Sequence, residues 1–161
     1  MIAAAVVLAV ALGALALARV LLVRVTVTGS SMAPTLRPGD RVLVRRASTR
    51  SLRRGDLVVF ARPREPRRSW MIKRVLAGPG DPVPRVEVPV LWGYQESQVP
   101  RTCFVVVGDN PADSYDSRQF GYVRAKDLLG VVVRPGHRFG RWTVGNPTGS
   151  GPAATGDDHA W

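Results

Sequence analysis

Lysine is rare in this chain, although positive charge is abundant. Lys73 and Lys126 are the only lysines among 23 lysines and arginines. A lysine amine loses its proton inside a dry pocket whereas an arginine guanidinium stays charged, so a position that needs a neutral amine requires lysine. Lys73 follows the apolar residues 70–72 on a predicted strand that would bury its amine, whereas Lys126 lies in a polar stretch. Lys73 is therefore a candidate general base, and the alternative is an edge-strand charge that limits aggregation.

A candidate nucleophile lies in the string Thr-Gly-Ser-Ser-Met-Ala-Pro-Thr-Leu at residues 28–36. A predicted strand enters this string, and a proline-containing turn leaves it. Such a bend projects one hydroxyl, here that of Ser31, and leaves its backbone N–H free for a developing oxyanion, as acyl transfer requires. Taken alone, the string is more typical of an ordinary turn cap.

Other hydrolytic chemistries lack their signatures in this sequence. His137 lies in a Pro-Gly-His-Arg turn and His159 in the C-terminal tail, so neither is well placed as the base of a Ser-His-Asp triad. There is no His-Glu-x-x-His helix and no glycine-rich phosphate loop that ends in Lys and Ser. Cys103 is alone, and no Cys or His pair has the spacing of zinc ligands. We therefore expect no metal site.

The net charge of +11 raises the question of nucleic-acid binding. The arginines between residues 37 and 68 are scattered without interleaved aromatic residues, and no helix-turn-helix or zinc-finger spacing occurs. Anionic lipid headgroups beside a membrane anchor explain the charge equally well, and a solvated surface explains it most simply. We predict a lipid bilayer and no nucleic acid among the partners.

Short β-like runs alternate with turn signals along most of the chain. The runs occupy residues 23–28, 41–46, 56–61, 70–76, 102–108 and 129–133. Turns rich in Gly, Pro and Asp separate them, and helical periodicity is nearly absent. This pattern predicts a mostly β domain over residues 24–140, with a small Pro-rich insertion near 82–100. Residues 141–161 have the composition of a flexible C-terminal tail.

The N-terminal segment is apolar and long enough to cross a bilayer. Residues 2–18 are apolar, and residues 20–23 extend the run past Arg19 to the ~20 residues that a transmembrane helix needs. A cleaved secretory signal is the alternative, but the start carries no charged side chain and the run leads almost directly into the candidate nucleophile string. We predict a retained single-pass anchor at residues 2–23. The arginine-rich flank alone would favour a cytoplasmic domain.

Three strings, in order, resemble the sequence boxes of type I signal peptidases. The first is Gly-Ser-Ser-Met-Ala-Pro-Thr-Leu at residues 29–36. The second is Met-Ile-Lys-Arg-Val at 71–75 followed by Gly-Pro-Gly-Asp at 78–81, and the third is Gly-Asp-Asn-Pro-Ala-Asp-Ser-Tyr-Asp-Ser-Arg at 108–118. Each box is weakly specific alone, but three in order at compatible separations are highly specific. Together with the anchor, the resemblance leaves only the tail outside.

The resemblance implies a signal-peptidase-like β-rich catalytic domain with a Ser/Lys dyad and no cofactor. Ser31 would attack the scissile carbonyl, and neutral Lys73 would act as the general base. Ser114 would hydrogen-bond and orient the lysine. Asp116 and Arg118 would form a supporting ion pair that holds their loop against the site.

The implied oxyanion and substrate contacts come from Gly29, Ser30 and Ser31. Some family members carry a serine hydroxyl at the position of Gly29, so in this chain the Ser31 N–H carries more of the oxyanion hole. The role of the Ser30 hydroxyl stays open. Pro111 also departs from the family, because many members have an arginine there.

The implied substrates are exported precursors with small residues at −1 and −3, bound in shallow apolar pockets. The implied location is the cell membrane, with the catalytic domain on the extracytoplasmic side. Two alternatives share the dyad: a dedicated maturation protease, of the kind that trims nickel superoxide dismutase precursors, and a self-cleaving regulator like the SOS-response repressors. The regulator would need a DNA-binding domain where this chain has an anchor. A further alternative is an inactive, membrane-tethered binding module.

Overall fold

Seven β-strands form one antiparallel sheet in the computed structural model of the chain, which describes residues 6–8, 10–13, 21–65 and 69–133. The strands are β1 (Leu22–Thr26), β2 (Arg41–Arg46), β3 (Leu57–Ala61), β4 (Trp70–Ala77), β5 (Cys103–Val107), β6 (Val123–Arg124) and β7 (Leu128–Val133). Their order across the sheet is β1-β2-β7-β3-β4-β5-β6. The predicted mostly β fold is confirmed.

Helical structure is sparse in the described part of the chain. It consists of the N-terminal helical residues 6–8 and 10–13, one α-helical turn at Ser117–Phe120, and short 3-10 turns. The 3-10 turns are Thr49–Ser51, Pro89–Gly93, Pro111–Asp113 and Ala125–Asp127. Each of them connects strands and therefore leaves the sheet as the framework of the domain.

Strand β3 lies at the centre of the sheet and is buried along its whole length. Its alternate residues point to opposite faces, as a strand requires. Leu57 and Val59 join one core cluster, whereas Val58 and Phe60 join a second cluster on the other face. Each fully buried Val, Leu or Phe side chain stabilises the fold by about 1.5–3 kcal/mol relative to an exposed one. The strand carries no polar residue because both of its faces are covered.

The sheet curls, which brings its first strand close to the middle of the order. Residues of β1 and of β4 line one common cleft, although three strands separate them in the sheet. Among the residues that the structure describes, strand β1 pairs only with β2, and the first residues of β4 pair with β3 but not with β5. Two unpaired strand edges therefore border this cleft.

The Pro-rich segment at residues 82–100 is packed rather than loosely solvated. Val83, Val88, Leu91 and Val99 are buried and form a third core cluster with residues of β4 and β5. An isolated bridge between Pro82 and Gln98 closes the segment at its base. The predicted insertion thus carries its own small core.

The predicted anchor falls mostly outside the described residues. Strand β1 begins at Leu22, so Leu22 and Val23, the last two residues of the predicted anchor, pair with β2. Within the described ranges, no helix combines the length and apolarity that crossing a bilayer requires. The predicted C-terminal tail, residues 141–161, lies wholly outside the described residues.

Candidate active site

Ser31 lies in a tight turn that two buried side chains hold in place. The Ala33 N–H donates to the Ser30 carbonyl at 2.9 Å, and the Leu36 N–H donates to the Met32 carbonyl at 2.8 Å. Met32 and Leu36 are buried in the first core cluster. Since these neighbours fix the backbone from inside, the half-buried Ser31 side chain stays at the surface of the domain.

Lys73 reaches Ser31 from strand β4, although the two residues are 42 positions apart. Its Nζ atom donates a hydrogen bond of 2.5 Å to Ser31 Oγ. Lys73 lies opposite Val58 of β3, and only 3% of its surface is exposed. The structure therefore brings the predicted nucleophile and the predicted base into direct contact.

The environment of Lys73 favours a neutral amine. Burial lowers its pKa, because a charged ammonium loses hydration in the protein interior. The carboxylates of Asp116, Asp113 and Asp109 act in the opposite direction, and the nearby Arg118 guanidinium lowers the pKa further. Burial prevails over the carboxylates. A buried amine that contacts a hydroxyl is an arrangement that can deprotonate a serine.

Asp116 organises the loop that faces the Ser31–Lys73 pair. Its carboxylate is fully buried and accepts hydrogen bonds from the Gly108 N–H at 2.8 Å and from Ser114 Oγ at 2.6 Å. Arg118 approaches it in a two-point arrangement, with Nε 2.9 Å from Oδ1 and Nη2 2.7 Å from Oδ2. Asp116 also caps the helical turn Ser117–Phe120 in a capping box with Gln119.

The pKa of the Asp116 carboxyl is lowered despite its burial. Burial alone would raise this pKa, since it disfavours the charged form. The hydrogen bonds from Arg118, Ser114 and the Gly108 N–H favour the carboxylate and together outweigh that effect. Ser114 is thus held by Asp116, and among the described residues no hydrogen bond joins it to Lys73.

The same loop also forms hydrogen bonds with Ser30 and Ser31. The Asn110 N–H donates to the Ser31 carbonyl at 3.0 Å, and Asn110 Nδ2 donates to the Ser30 carbonyl at 3.4 Å. The Ser30 hydroxyl donates to the Asp113 carboxylate. Within the described part of the chain, the Ser31 N–H donates to no acceptor. Ser31 also lines the cleft, so its N–H is a candidate donor to a ligand there.

A buried ion pair ties the residue after the lysine to this loop. Arg74 Nε lies 2.7 Å from Asp109 Oδ1, and Arg74 Nη2 lies 2.5 Å from Asp109 Oδ2. Arg74 also donates to the Gly55 carbonyl at 2.8 Å and to Thr35 Oγ1 at 3.4 Å. One guanidinium thereby links β4, the loop and the end of the turn that holds Ser31.

The cleft beside Ser31 and Lys73 has a volume of about 340 Å³ and mostly apolar walls. Its lining residues are Val25, Thr26, Val27, Thr28, Gly29, Ser31, Met32, Trp70, Met71, Ile72 and Lys73. Gly29 lies at its edge, and a Cβ atom added there would meet no atom within 4 Å. Trp70 is 48% exposed at the rim. The nucleophile and base candidates thus lie in the wall of the cleft, beside apolar side chains.

A larger cleft of about 650 Å³ shares no lining residue with this site. It is lined by Ala61 at the end of β3, Tyr122, Lys126 and Asp127, among others. Its size does not make it the reactive site, because neither Ser31 nor Lys73 reaches it.

Sequence reasoning did not single out Asn110, Asp113, Arg74 or Asp109. All four lie inside the strings that carry the resemblance, so a signal was present in their position. Their contacts cross 35 to 83 positions of the chain. Such pairings follow from tertiary structure, and neither spacing nor periodicity reveals them.

The comparisons with known proteins find signal peptidases, some of which are named inactive. The family model described as signal peptidase, peptidase S26, matches residues 1–90 and 87–135. A signal peptidase I of Bacillus caldolyticus is 30% identical over 138 residues, which cover 66% of this chain and 74% of the relative. A signal peptidase I of Leptolyngbya laminosa is 32% identical over 142 residues, covering 71% of this chain and 70% of the relative. A Staphylococcus aureus protein named inactive signal peptidase IA is 28% identical over 144 residues, covering 73% of this chain and 80% of the relative.

Proposed function

Because the chain belongs to the type I signal peptidase family, we propose that it is an active serine endopeptidase that removes signal peptides from exported precursors. The observation that carries this proposal is the contact between Lys73 Nζ and Ser31 Oγ in a buried setting. A relative named inactive makes an inactive binding module the second candidate. The dyad contact favours activity, since a binding module has no need of a buried lysine against a serine.

The reaction begins with the uncharged form of Lys73. Its lone pair accepts the proton of Ser31 Oγ while that oxygen attacks the scissile carbonyl. The carbonyl oxygen gains negative charge, which the free Ser31 N–H stabilises. The lysine then gives its proton to the departing amine, and an acyl ester remains on Ser31. A water molecule that has lost its proton to Lys73 attacks this ester and releases the cleaved signal peptide.

The residues around the dyad position it without touching the reacting atoms. Asp116 holds Ser114, the Gly108 N–H and Arg118, and so fixes the loop that contacts the Ser31 turn. We propose that Ser114 acts beside Lys73 from this loop, as the family resemblance implies. Its contact with Asp116 sets its orientation.

The substrate is proposed to bind as an extended strand. The unpaired edges of β1 and β4 offer backbone hydrogen-bond partners on both sides of the cleft. The cleft next to the dyad has a volume of about 340 Å³, and the family resemblance implies that small side chains occupy the −1 and −3 positions of the precursor there.

The membrane setting is part of the same proposal. The apolar segment within residues 2–23 would anchor the chain in the cell membrane as a single pass, with the catalytic domain on the extracytoplasmic side. Strand β1 starts at Leu22 and ends at the cleft, so such an anchor would keep the dyad within a short distance of the bilayer.

Cleavage of a model precursor tests this function. The full-length protein in detergent or liposomes is expected to cut a precursor with Ala at −1 and −3 at one site, identified by mass spectrometry. Replacing Ala at −1 by Phe is expected to lower kcat/KM by about 100-fold or more, because the proposed substrates carry small residues at this position. A change of one methylene already alters kcat/KM by roughly 10–200-fold in a hydrophobic pocket. Absence of any cleavage by the folded protein would favour the inactive binding module.

Gly108→Ala is expected to displace the Ser31 backbone and thereby to disturb the contact between Ser31 and Lys73. A Cβ atom at Gly108 would lie 2.7 Å from the Ser31 carbonyl oxygen and closer still to Ser114 Oγ. The Ser31 backbone must then shift, and a displacement near 1 Å costs about 100-fold in rate. The control is Gly93→Ala, where an added Cβ meets no atom within 4 Å. Unchanged kcat in Gly108→Ala, measured on the same precursor, would contradict the proposed geometry.

A further inference from the structure

Two side chains outside the dyad join the Ser31 turn to the opposing loop. The Ser30 hydroxyl donates to the Asp113 carboxylate, across 83 positions of the chain. Asp113 ends the 3-10 turn Pro111–Asp113, and its N–H donates to the Asn110 carbonyl at 3.2 Å. The carboxylate is therefore held on a short, locally closed turn.

We propose that Asp113 is a positioning residue for the cleavage reaction: by holding the Ser30 hydroxyl, it fixes the turn that presents Ser31 to Lys73. This inference rests on the proposed endopeptidase function. It also assigns the Ser30 hydroxyl, whose proton is engaged by Asp113, to positioning rather than to the oxyanion hole.

The planarity of the peptide group explains how the contact between Ser30 and Asp113 can affect the cleavage reaction. The peptide unit between Ser30 and Ser31 is planar, so the direction of the Ser30 carbonyl fixes the direction of the Ser31 N–H. That carbonyl accepts from Asn110 Nδ2 and from the Ala33 N–H. With the Ser30 side chain held as well, the turn cannot rotate freely, and the direction of the Ser31 N–H is fixed with it.

The exposure of Ser30 and Asp113 indicates that their hydrogen bond affects the cleavage rate more than the stability of the fold. Asp113 is exposed and Ser30 is half-buried, so water replaces either partner when the other is removed. Solvent-exposed polar contacts contribute little to stability, because water competes for both partners. Orientation of the nucleophile is more sensitive, since a small displacement lowers the rate strongly.

The charge of Asp113 provides a second, separable signature. The groups that act on Lys73 are Asp116, Asp113 and Asp109, which raise its pKa, and Arg118, which lowers it, beside the dominant effect of burial. Removing the Asp113 charge therefore lowers the pKa of Lys73 further. The neutral amine then persists to lower pH, and the acid limb of the rate profile moves to lower pH.

Four variants of the full-length protein separate the two effects. Ser30→Ala and Asp113→Ala each remove the hydrogen bond and are expected to lower kcat about tenfold with little change in KM, equivalent to 1.36 kcal/mol in the barrier. Asp113→Asn keeps an acceptor oxygen and is expected to recover most of kcat. The acid limb should move in both Asp113 variants but not in Ser30→Ala. Asp127→Asn, a matched charge change at the other cleft, should alter neither.

A spectroscopic readout accompanies the kinetics. The chain has two lysines, so protein with ¹³C-labelled lysine side chains gives signals for Lys73 and Lys126 alone. In Asp113→Asn the titration midpoint of Lys73 should fall relative to the wild type.

The outcomes distinguish this inference from the function on which it rests. If the wild-type protein cleaves and Ser30→Ala and Asp113→Ala cleave with wild-type kcat, the positioning role is refuted while the endopeptidase stands. If the Ser30→Ala, Asp113→Ala double variant is no slower than either single one, the two residues act through one bond, as proposed. If the folded wild-type protein cleaves nothing, the proposed function and this inference fail together.

Discussion

Ser31→Ala and Lys73→Arg are each expected to abolish precursor cleavage. Removing a positioned general base costs about 10²–10⁴-fold in rate, and removing the nucleophile itself costs at least as much. Arginine is the informative replacement at position 73, because it is also a long basic side chain but does not lose its proton in the working pH range. A folded variant that has lost all activity would support the uncharged amine as the required species.

The two substitutions should not add. Ser31 and Lys73 share one 2.5 Å contact and one proton, so the double variant is expected to be no slower than the slower single variant. Lys126→Arg, at an exposed residue, is the matched control and should cleave like the wild type. Circular dichroism and thermal unfolding show whether each variant keeps the fold. Cleavage at the wild-type rate by folded Lys73→Arg would exclude lysine as the base.

Local sequence patterns predicted most strands because these strands are long enough to form a recognisable apolar run between turn residues. Strand β2 has the predicted bounds, and β3, β4 and β7 differ from the predicted runs by one residue at one end and β5 by one residue at each end. Strand β6 was missed because Val123 and Arg124 are too few residues to show a period. The turn Ser117–Phe120 was missed for the same reason, although Asp116 and Gln119 form a capping box at its start.

The site was predictable in its residue types but not in its contacts. Lysine scarcity and the serine turn singled out Lys73 and Ser31, yet their contact depends on the curl of the sheet. The same holds for Asp113, whose partner Ser30 is distant in the chain. The orientation of Ser114 was not predictable either, since its hydroxyl donates to Asp116 of the same loop.

Asp116→Ala is expected to cause the largest loss of stability among the site residues. It removes a fully buried carboxylate that accepts from Gly108, Ser114 and Arg118, and leaves their donors without that acceptor. Breaking a buried ion pair by removing one partner costs about 3–5 kcal/mol. The free energy of unfolding, measured by urea denaturation at neutral pH, should fall by that amount. Asp127→Ala, at a carboxylate with no ion pair among the described residues, is the control.

A double-mutant cycle with Arg118→Met isolates the pair. Because the guanidinium and the carboxylate stabilise each other, the Asp116→Ala, Arg118→Met variant should lose less stability than the two single losses combined. Additive losses would show that Asp116 acts through Gly108 and Ser114 alone.

The pH dependence of this stability difference has a definite sign. The folded-state pKa of Asp116 lies below its ordinary value, so its contribution is fully present above the pKa of an unfolded carboxyl, about 3.9. It is lost as the pH falls through the lowered folded-state pKa, where the carboxylate becomes protonated. The gap in unfolding free energy between the wild type and Asp116→Ala should therefore be constant from neutral pH down to mildly acidic pH and should narrow below that range. A gap that widens on acidification would show that the buried Asp116 is protonated in the folded protein, and the ion pair with Arg118 would then not be what holds the loop.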